Sequence, residues 1–348
     1  MSAERGVQNM QEFEYELPER AIAQYPAEPR DSAKLLVDRG SLSEPEHLTG
    51  ANLTEQLGRG DLVVINETQV IPARLPLRKV SGGAVEVLLL EPTEQGWTAL
   101  VRPGRRVKNG TELRSERDPD LRVTVGEKIG DDGQREVVVI HDSEVVRCPL
   151  DCHRLALAGE PPLPPYIVST GHAPERYQTV YANSPGSVAA PTAGLHLTDA
   201  VMKRFHQRGV ELRTVDLVVG IDTFRPVTVE NPSDHVMHSE AYKVPESTWE
   251  ACQKARRVVA IGTTTARSLE SAARGPLEGR TDLFLRRGMP FEVVDLLMTN
   301  FHLPRSTLLI MIDAFLGARW KDLYSTALEN DYQFLSFGDA MLLDRAST

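Results

Sequence analysis

The feature that most constrains this chain is a change of period. Between Thr68 and Val146 no helical repeat occurs, and short alternating stretches are parted by turn residues. Arg74 to Val80 and Ala84 to Glu91 flank Ser81-Gly82-Gly83. Trp97 to Val101 runs into Pro103-Gly104, and Leu121 to Ile129 and Glu136 to Ile140 flank Gly130 to Gly133. Short strands this close in sequence predict a small antiparallel barrel. Around that stretch the texture differs. Leu62 to Asn66 (LVVIN) is an apolar run of strand length, as expected of a strand covered on both faces. Beyond Glu175 strands and helices alternate. Strands are expected over Glu211 to Val219, Arg257 to Ile261 and Phe291 to Leu297. Helices are expected over Ser247 to Arg257 (with a Ser247/Glu250 capping box), Thr265 to Arg274, Ser306 to Leu316 and Lys321 to Leu328. The 348 residues suit two domains. The expected fold is α/β: a mixed-sheet α/β domain interrupted by a small antiparallel β-barrel insert. The expected division is a loose tail over 1–12, the α/β domain over 13–67 and 159–348, and the insert over 68–158. Pro161 to Pro165 (PPLPP) reads as a stiff return from the insert.

A net charge of −10 argues against indiscriminate nucleic-acid binding but leaves room for a local basic face. Basic residues bunch at Arg102, Arg105, Arg106 and Lys108, and again at Lys203, Arg204, Arg208 and Arg213. No apolar run reaches membrane-spanning length and the first residues carry no apolar signal segment, so no membrane partner and a cytoplasmic location are expected. Three cysteines cannot build a disulfide framework and fit a reducing compartment.

One loop stands out chemically. Ser184 to Thr198 (SPGSVAAPTAGLHLT) is small and uncharged, and Pro185, Gly186, Pro191 and Gly194 exclude a helix. It reads as a poor strand too. Thr192 and Gly194 leave its backbone open to a ligand, and His196 supplies an imidazole. A helix is expected to start at Thr198, its amides offering an anion-binding end. Polar residues also collect where strands end: Thr263, Thr264 and Arg267 after Ile261; Asn300 and His302 after Leu297; Asp222 and Arg225 after Val219. In an open α/β sheet such strand ends face the ligand. His235 and His238, beside Glu240, lie three apart in an expected loop or strand with no Cys nearby, so no metal is expected. No G-x-G-x-x-G, G-x4-G-K-[ST] or G-x-S-x-G pattern occurs.

Several long stretches carry a resemblance: GDLVVINETQVIPARL at Gly60 to Leu75, PLPPYI at Pro162 to Ile167, ERYQTVYANSPGSVAAPTAGLHLT at Glu175 to Thr198, VMHSE at Val236 to Glu240, ARSLESAAR at Ala266 to Arg274, TNFHLPRSTLL at Thr299 to Leu309 and SFGDAML at Ser336 to Leu342. In these the chain closely resembles the S-adenosylmethionine:tRNA ribosyltransferase-isomerases of the queuosine pathway, the QueA family. The resemblance implies an enzyme that uses S-adenosylmethionine as a consumed ribosyl donor, with no other cofactor. The acceptor it implies is a 7-aminomethyl-7-deazaguanine at the tRNA wobble position, and the products epoxyqueuosine-tRNA, adenine and methionine. A base would remove a proton beside the sulfonium, adenine would leave, the amine would attack, and an alkoxide would close the epoxide as methionine departs.

Set against that chemistry, His196 is the leading acid/base candidate and His302 the second, with Asp222 or Glu240 orienting an imidazole or the acceptor amine. Thr192, Gly194, Thr263, Thr264, Arg225, Arg267, His238 and Asn300 are the expected substrate-binding set. Arg102, Arg105, Arg106, Lys203 and Arg204 are the expected tRNA contacts, in a monomer. The family pattern G-x-G-T-F followed by Gln stands here as Gly220 to Arg225 (GIDTFR), which adds a carboxylate and a guanidinium. Two other readings fit fewer features: a paralogue acting on a different acceptor, for which Asp222 speaks, and a non-catalytic tRNA-binding protein.

Overall fold

The computed structural model describes residues 9–40, 42–129, 133–147, 151–168, 174–220 and 226–346. Its strands, in chain order, begin with β1 (Lys34–Asp38), β2 (Glu46–Thr49) and β3 (Asp61–Asn66). The next group comprises β4 (Thr68–Val70), β5 (Arg74–Lys79), β6 (Ala84–Pro92), β7 (Trp97–Arg102), β8 (Thr111–Ser115), β9 (Leu121–Ile129), β10 (Gln134–His141), β11 (Glu144–Val145) and β12 (Ser184–Ser187). The last are β13 (Glu211–Leu217), β14 (Glu240–Lys243), β15 (Arg257–Ile261), β16 (Glu278–Thr281), β17 (Leu296–Asn300) and β18 (Ala340–Asp344). Five α-helices accompany them: α1 (Asp199–Gln207), α2 (Glu246–Lys254), α3 (Thr263–Ala272), α4 (Thr307–Leu316) and α5 (Trp320–Glu329).

Nine strands form one mixed sheet in the order β16-β14-β13-β3-β15-β17-β18-β1-β2. Its centre, β13-β3-β15-β17, is parallel throughout. The period of two along each strand sorts the core into two layers. Leu62, Val64, Val258 and Ala260 face α2 to α5, while Val63, Ile65, Val259 and Ile261 face α1. This is why LVVIN and RVVAI read as unbroken apolar runs. The second unit is a closed barrel: β10-β7-β6-β5-β8-β9, with β9 pairing back to β10. Full closure leaves no free edge. The barrel has its own core around Trp97, Leu75, Val87 and Val123. The expected mixed-sheet fold with a barrel insert is therefore the observed one.

Several local expectations are corrected. α2 starts at Glu246 behind Pro245, and no side-chain cap forms at Ser247. The hydroxyl of Thr248 instead donates to the Thr214 carbonyl at 2.8 Å, which draws the helix start onto β13. α3 starts at Thr263, two residues early, because Gly262 at φ +92° turns strand directly into helix. The loop read as a poor strand begins with β12, paired in parallel with β4. Cys152 is disulfide-bonded, a single staple rather than a framework, whereas Cys252 is buried and free. No helix among the described residues is long and apolar enough to cross a membrane.

Candidate active site

The chain leaves β3, passes through the barrel and returns beside it as β13. β15 lies on the other side of β3, and its successor β17 lies further out. The direction of winding thus reverses between β3 and β15. Ligands of open α/β sheets bind outside the carboxyl ends of strands at such a reversal. Two adjoining cavities, of about 50 and 270 Å³, open there and share Thr263, Thr264 and Leu308 in their walls. Together they are of the size at which small-ligand pockets begin, about 300 Å³.

Asn66, the last residue of β3, ties this point together. Its Oδ1 accepts from the amides of Leu217 (3.1 Å) and Thr68 (3.2 Å), and its Nδ2 donates to the Leu217 carbonyl (3.1 Å) and to Thr264 Oγ1 (3.3 Å). One amide side chain thereby fixes β13, the start of the barrel excursion and the first turn of α3. The reading of candidate residues missed Asn66. Its signal was a polar residue closing an apolar strand run.

Thr263 and Thr264 occupy the first turn of α3, where backbone amides lack helical partners and favour negative charge. Gly262 leaves that turn close to the loop, its missing Cβ position lying 3.7 Å from Ala193 Cβ. The smaller cavity is also lined by Thr192, Asn300 and His302. Thr192 Oγ1 donates to Asn300 Oδ1 at 2.9 Å, and Asn300 Nδ2 faces His196 Nε2 at 3.3 Å. Since the amide nitrogen can only donate, the neutral His196 ring carries its proton on Nδ1. His196 itself stands behind Asn300, against Arg30 and Arg176, and not in the walls of the two cavities. His302 Nε2 lies 2.9 Å from Thr299 Oγ1. Burial pushes His196 down to about 4 and His302 to about 3. Both rings are neutral at pH 7, because burial disfavours the charged imidazolium.

That burial has a consequence for stability. Both rings have folded pKa values below the ordinary 6.5, so their contribution is fully present above pH 6.5. It is lost as pH falls from there toward 4 and 3, because the unfolded chain takes up protons that the folded one refuses. The expected loss is about 1.4 kcal/mol per pH unit for each ring. Asp216 and Asp339, raised by burial, act in the opposite direction at the acid end. Urea titrations at pH 7.5 and 5.5 test this, and equal midpoints would contradict it.

The larger cavity is walled by His238, Glu240 and Arg267. Arg267 Nη1 donates to Glu240 Oε2 at 2.5 Å, and Nη2 donates to the carbonyls of His238 (3.1 Å) and Thr281 (2.9 Å). Glu240 Oε1 accepts from the Gly220 amide at 2.9 Å. Arg267, one of the expected substrate-binding residues, thus has three of its N–H groups engaged by the protein itself, and its buried Nε lacks a hydrogen-bond acceptor among the described residues. Asp222 and Arg225 lie outside the described residues.

Gly194 borders neither cavity. A Cβ there would stand 1.9 Å from Tyr181 Oη and 3.1 Å from Thr179 Cγ2, so close packing is what calls for glycine. Gly194→Ala is expected to destabilise by about 2 kcal/mol. Adding Tyr181→Phe, which removes the clashing oxygen, should restore most of it; a thermal melt without recovery would contradict this packing account. The start of α1 is not an open anion site either. Thr198 Oγ1 caps the Val201 amide and itself donates to Asp31 Oδ2 at 3.3 Å, so a carboxylate is already in place. Arg102, Arg105 and Arg106 are exposed on the barrel. Lys203 is exposed on α1, while Arg204 reaches Asp31 at 3.7 Å.

The model of the queuosine biosynthesis protein family matches residues 10–343. The chain belongs to that family. It is 46% identical over 342 residues to an S-adenosylmethionine:tRNA ribosyltransferase-isomerase of Thermotoga maritima, covering 95% of this chain and 98% of that one. It is 46% identical to the protein of the same name from Thermus thermophilus over 353 residues, covering 97% and 100%. Among solved structures, an S-adenosylmethionine tRNA ribosyltransferase from Thermotoga maritima matches with a TM-score of 0.54 and 37% identity, covering 95% of this chain and 99% of that one.

Proposed function

We propose that this chain is an S-adenosylmethionine:tRNA ribosyltransferase-isomerase that modifies a 7-aminomethyl-7-deazaguanine wobble base to epoxyqueuosine. The end-to-end match to relatives of that name carries the reading, and the cleft supports it. S-adenosylmethionine occupies the adjoining cavities, its carboxylate toward the first turn of α3 at Thr263 and Thr264. It is consumed, and no further cofactor takes part. His302, in the cavity wall, is placed to remove the proton beside the sulfonium. His196 acts through Asn300, holding that amide toward the ribose. Glu240 and Arg267 shape the acceptor side as a fixed ion pair. The acceptor base is unstacked from the anticodon loop. Arg102, Arg105 and Arg106 hold phosphates, with Lys203 adding a weaker contact, so binding weakens as salt rises. The working unit is a monomer in the cytoplasm, where its tRNA substrate resides.

The test is a product assay. Purified protein, S-adenosylmethionine and tRNA bearing the aminomethyl-deazaguanine are incubated, and digested nucleosides are followed by mass spectrometry with adenine release in parallel. Epoxyqueuosine and adenine are expected in equal amounts. Release of S-adenosylhomocysteine instead would sink the reading in favour of methyl transfer, and absence of both products would point to another acceptor.

A further inference from the structure

A third cavity, of about 350 Å³, lies between the barrel and the α/β unit. Its barrel wall follows from strand period. Leu75, Val87, Leu89, Ala99 and Val101 fill the barrel core, so the alternate residues Arg74, Glu86, Leu88, Leu100 and Arg102 face outward. The register sets Arg74 beside Leu88, Leu88 beside Leu100, and Glu86 beside Arg102, which makes one patch across three strands. Outward positions of a barrel in water are ordinarily polar. Here Leu88 and Leu100 are apolar, and they face Pro162, Pro164 and Val188 across the cavity. The polar groups around them are two guanidiniums and one carboxylate. Arg74 Nε is buried, lies 4.0 Å from Glu86 Oε2 and has no hydrogen-bond acceptor. Pro226 stands in the wall of this cavity and also in that of the 270 Å³ cavity, so the two are neighbours. Arg105 and Arg106, which follow Arg102 closely in the chain, are exposed.

We propose that this cavity holds one nucleotide of the substrate tRNA, the one flanking the reacting base. Its base lies between Leu88, Leu100 and Pro164, and its phosphate rests on Arg102. Flat apolar walls suit an unstacked base, and a guanidinium at the rim suits a phosphate. Glu86 supplies an acceptor at the base edge. The inference rests on the tRNA reading above, so its test uses binding and not turnover.

The probe is an anticodon stem-loop RNA with 4-thiouridine next to the wobble nucleotide, irradiated with the full chain and mapped by peptide mass spectrometry. Crosslinks are expected within β6, β7 or residues 162–165. Leu100→Trp and Leu88→Trp, which fill the cavity from outside the barrel core, should each weaken hairpin binding at least tenfold. Arg102→Gln should weaken it and lower the salt slope by about one. Retained binding of S-adenosylmethionine shows that these variants are folded. Tight binding by the unaltered protein with crosslinks only elsewhere, and unchanged affinity in both tryptophan variants, would overturn the cavity assignment alone. No hairpin binding by the unaltered protein would overturn the tRNA reading itself.

Discussion

Replacing Glu270 by Ala is expected to lower the unfolding free energy by about 4 kcal/mol or more. The Glu270 carboxylate is fully buried and accepts from three consecutive backbone amides: Glu292 at 2.8 Å, Val293 at 2.9 Å and Val294 at 3.0 Å. It also pairs with Arg274 Nη1 at 2.7 Å. Truncation strands three backbone donors and takes one of two carboxylates from Arg274, which keeps Glu292 at 3.1 Å. Each unsatisfied buried donor costs about 1–3 kcal/mol, though these do not add fully. Glu270→Gln keeps the shape but forces an amide N–H toward backbone N–H groups, so it should recover only part of the loss. Urea unfolding with an unchanged slope checks the prediction; a loss below about 1 kcal/mol would show that the 291–294 segment finds other partners. This residue sits in the middle of the ARSLESAAR match, yet its work is architectural: it fixes the approach to β17 and so places Asn300.

Asn300→Leu is expected to lower kcat about 100-fold while leaving the fold in place. The substitution keeps much of the side-chain shape and removes the hydrogen bonds to Thr192 Oγ1, His196 Nε2 and the Asp339 carbonyl. Loss of one preorganised polar group aimed at a reacting centre commonly has an effect of this size. Stability should fall by about 1–3 kcal/mol, because three buried partners lose hydrogen bonds. Adenine release under saturating S-adenosylmethionine measures kcat. A rise in KM with kcat unchanged would assign Asn300 to binding alone, and activity within threefold of the unaltered protein would make the Asn300–His196 contact purely structural.

Strands buried on both faces, such as Arg257 to Ile261, were legible to the residue because burial on two sides demands an apolar run. Helix starts were less so. Ser247 with Glu250 had the letters of a capping box, but the hydroxyl of Thr248 found β13 instead, a partner 34 residues away. The edge strand β16 (EGRT) and the four-residue β14 (EAYK) beside it carried no pattern, since strands this short at the margin of a sheet have little to bury. The polar strand ends were visible as a class. Their individual tasks were not, as Arg267 demonstrates: three of its N–H groups are engaged by the protein itself.

By itself the sequence determined the alternation of elements, the barrel between two parts of an α/β unit, and the gathering of threonine, asparagine and histidine where strands end. Those follow from period and residue type, which are local. Only the tertiary structure decided that Asn66 would join β3 to α3, that His196 would stand behind Asn300 while His302 faced the cavity, and that both rings would be neutral. Hydrogen-bond partners and desolvation are set by groups brought from distant parts of the chain, and no local pattern records them.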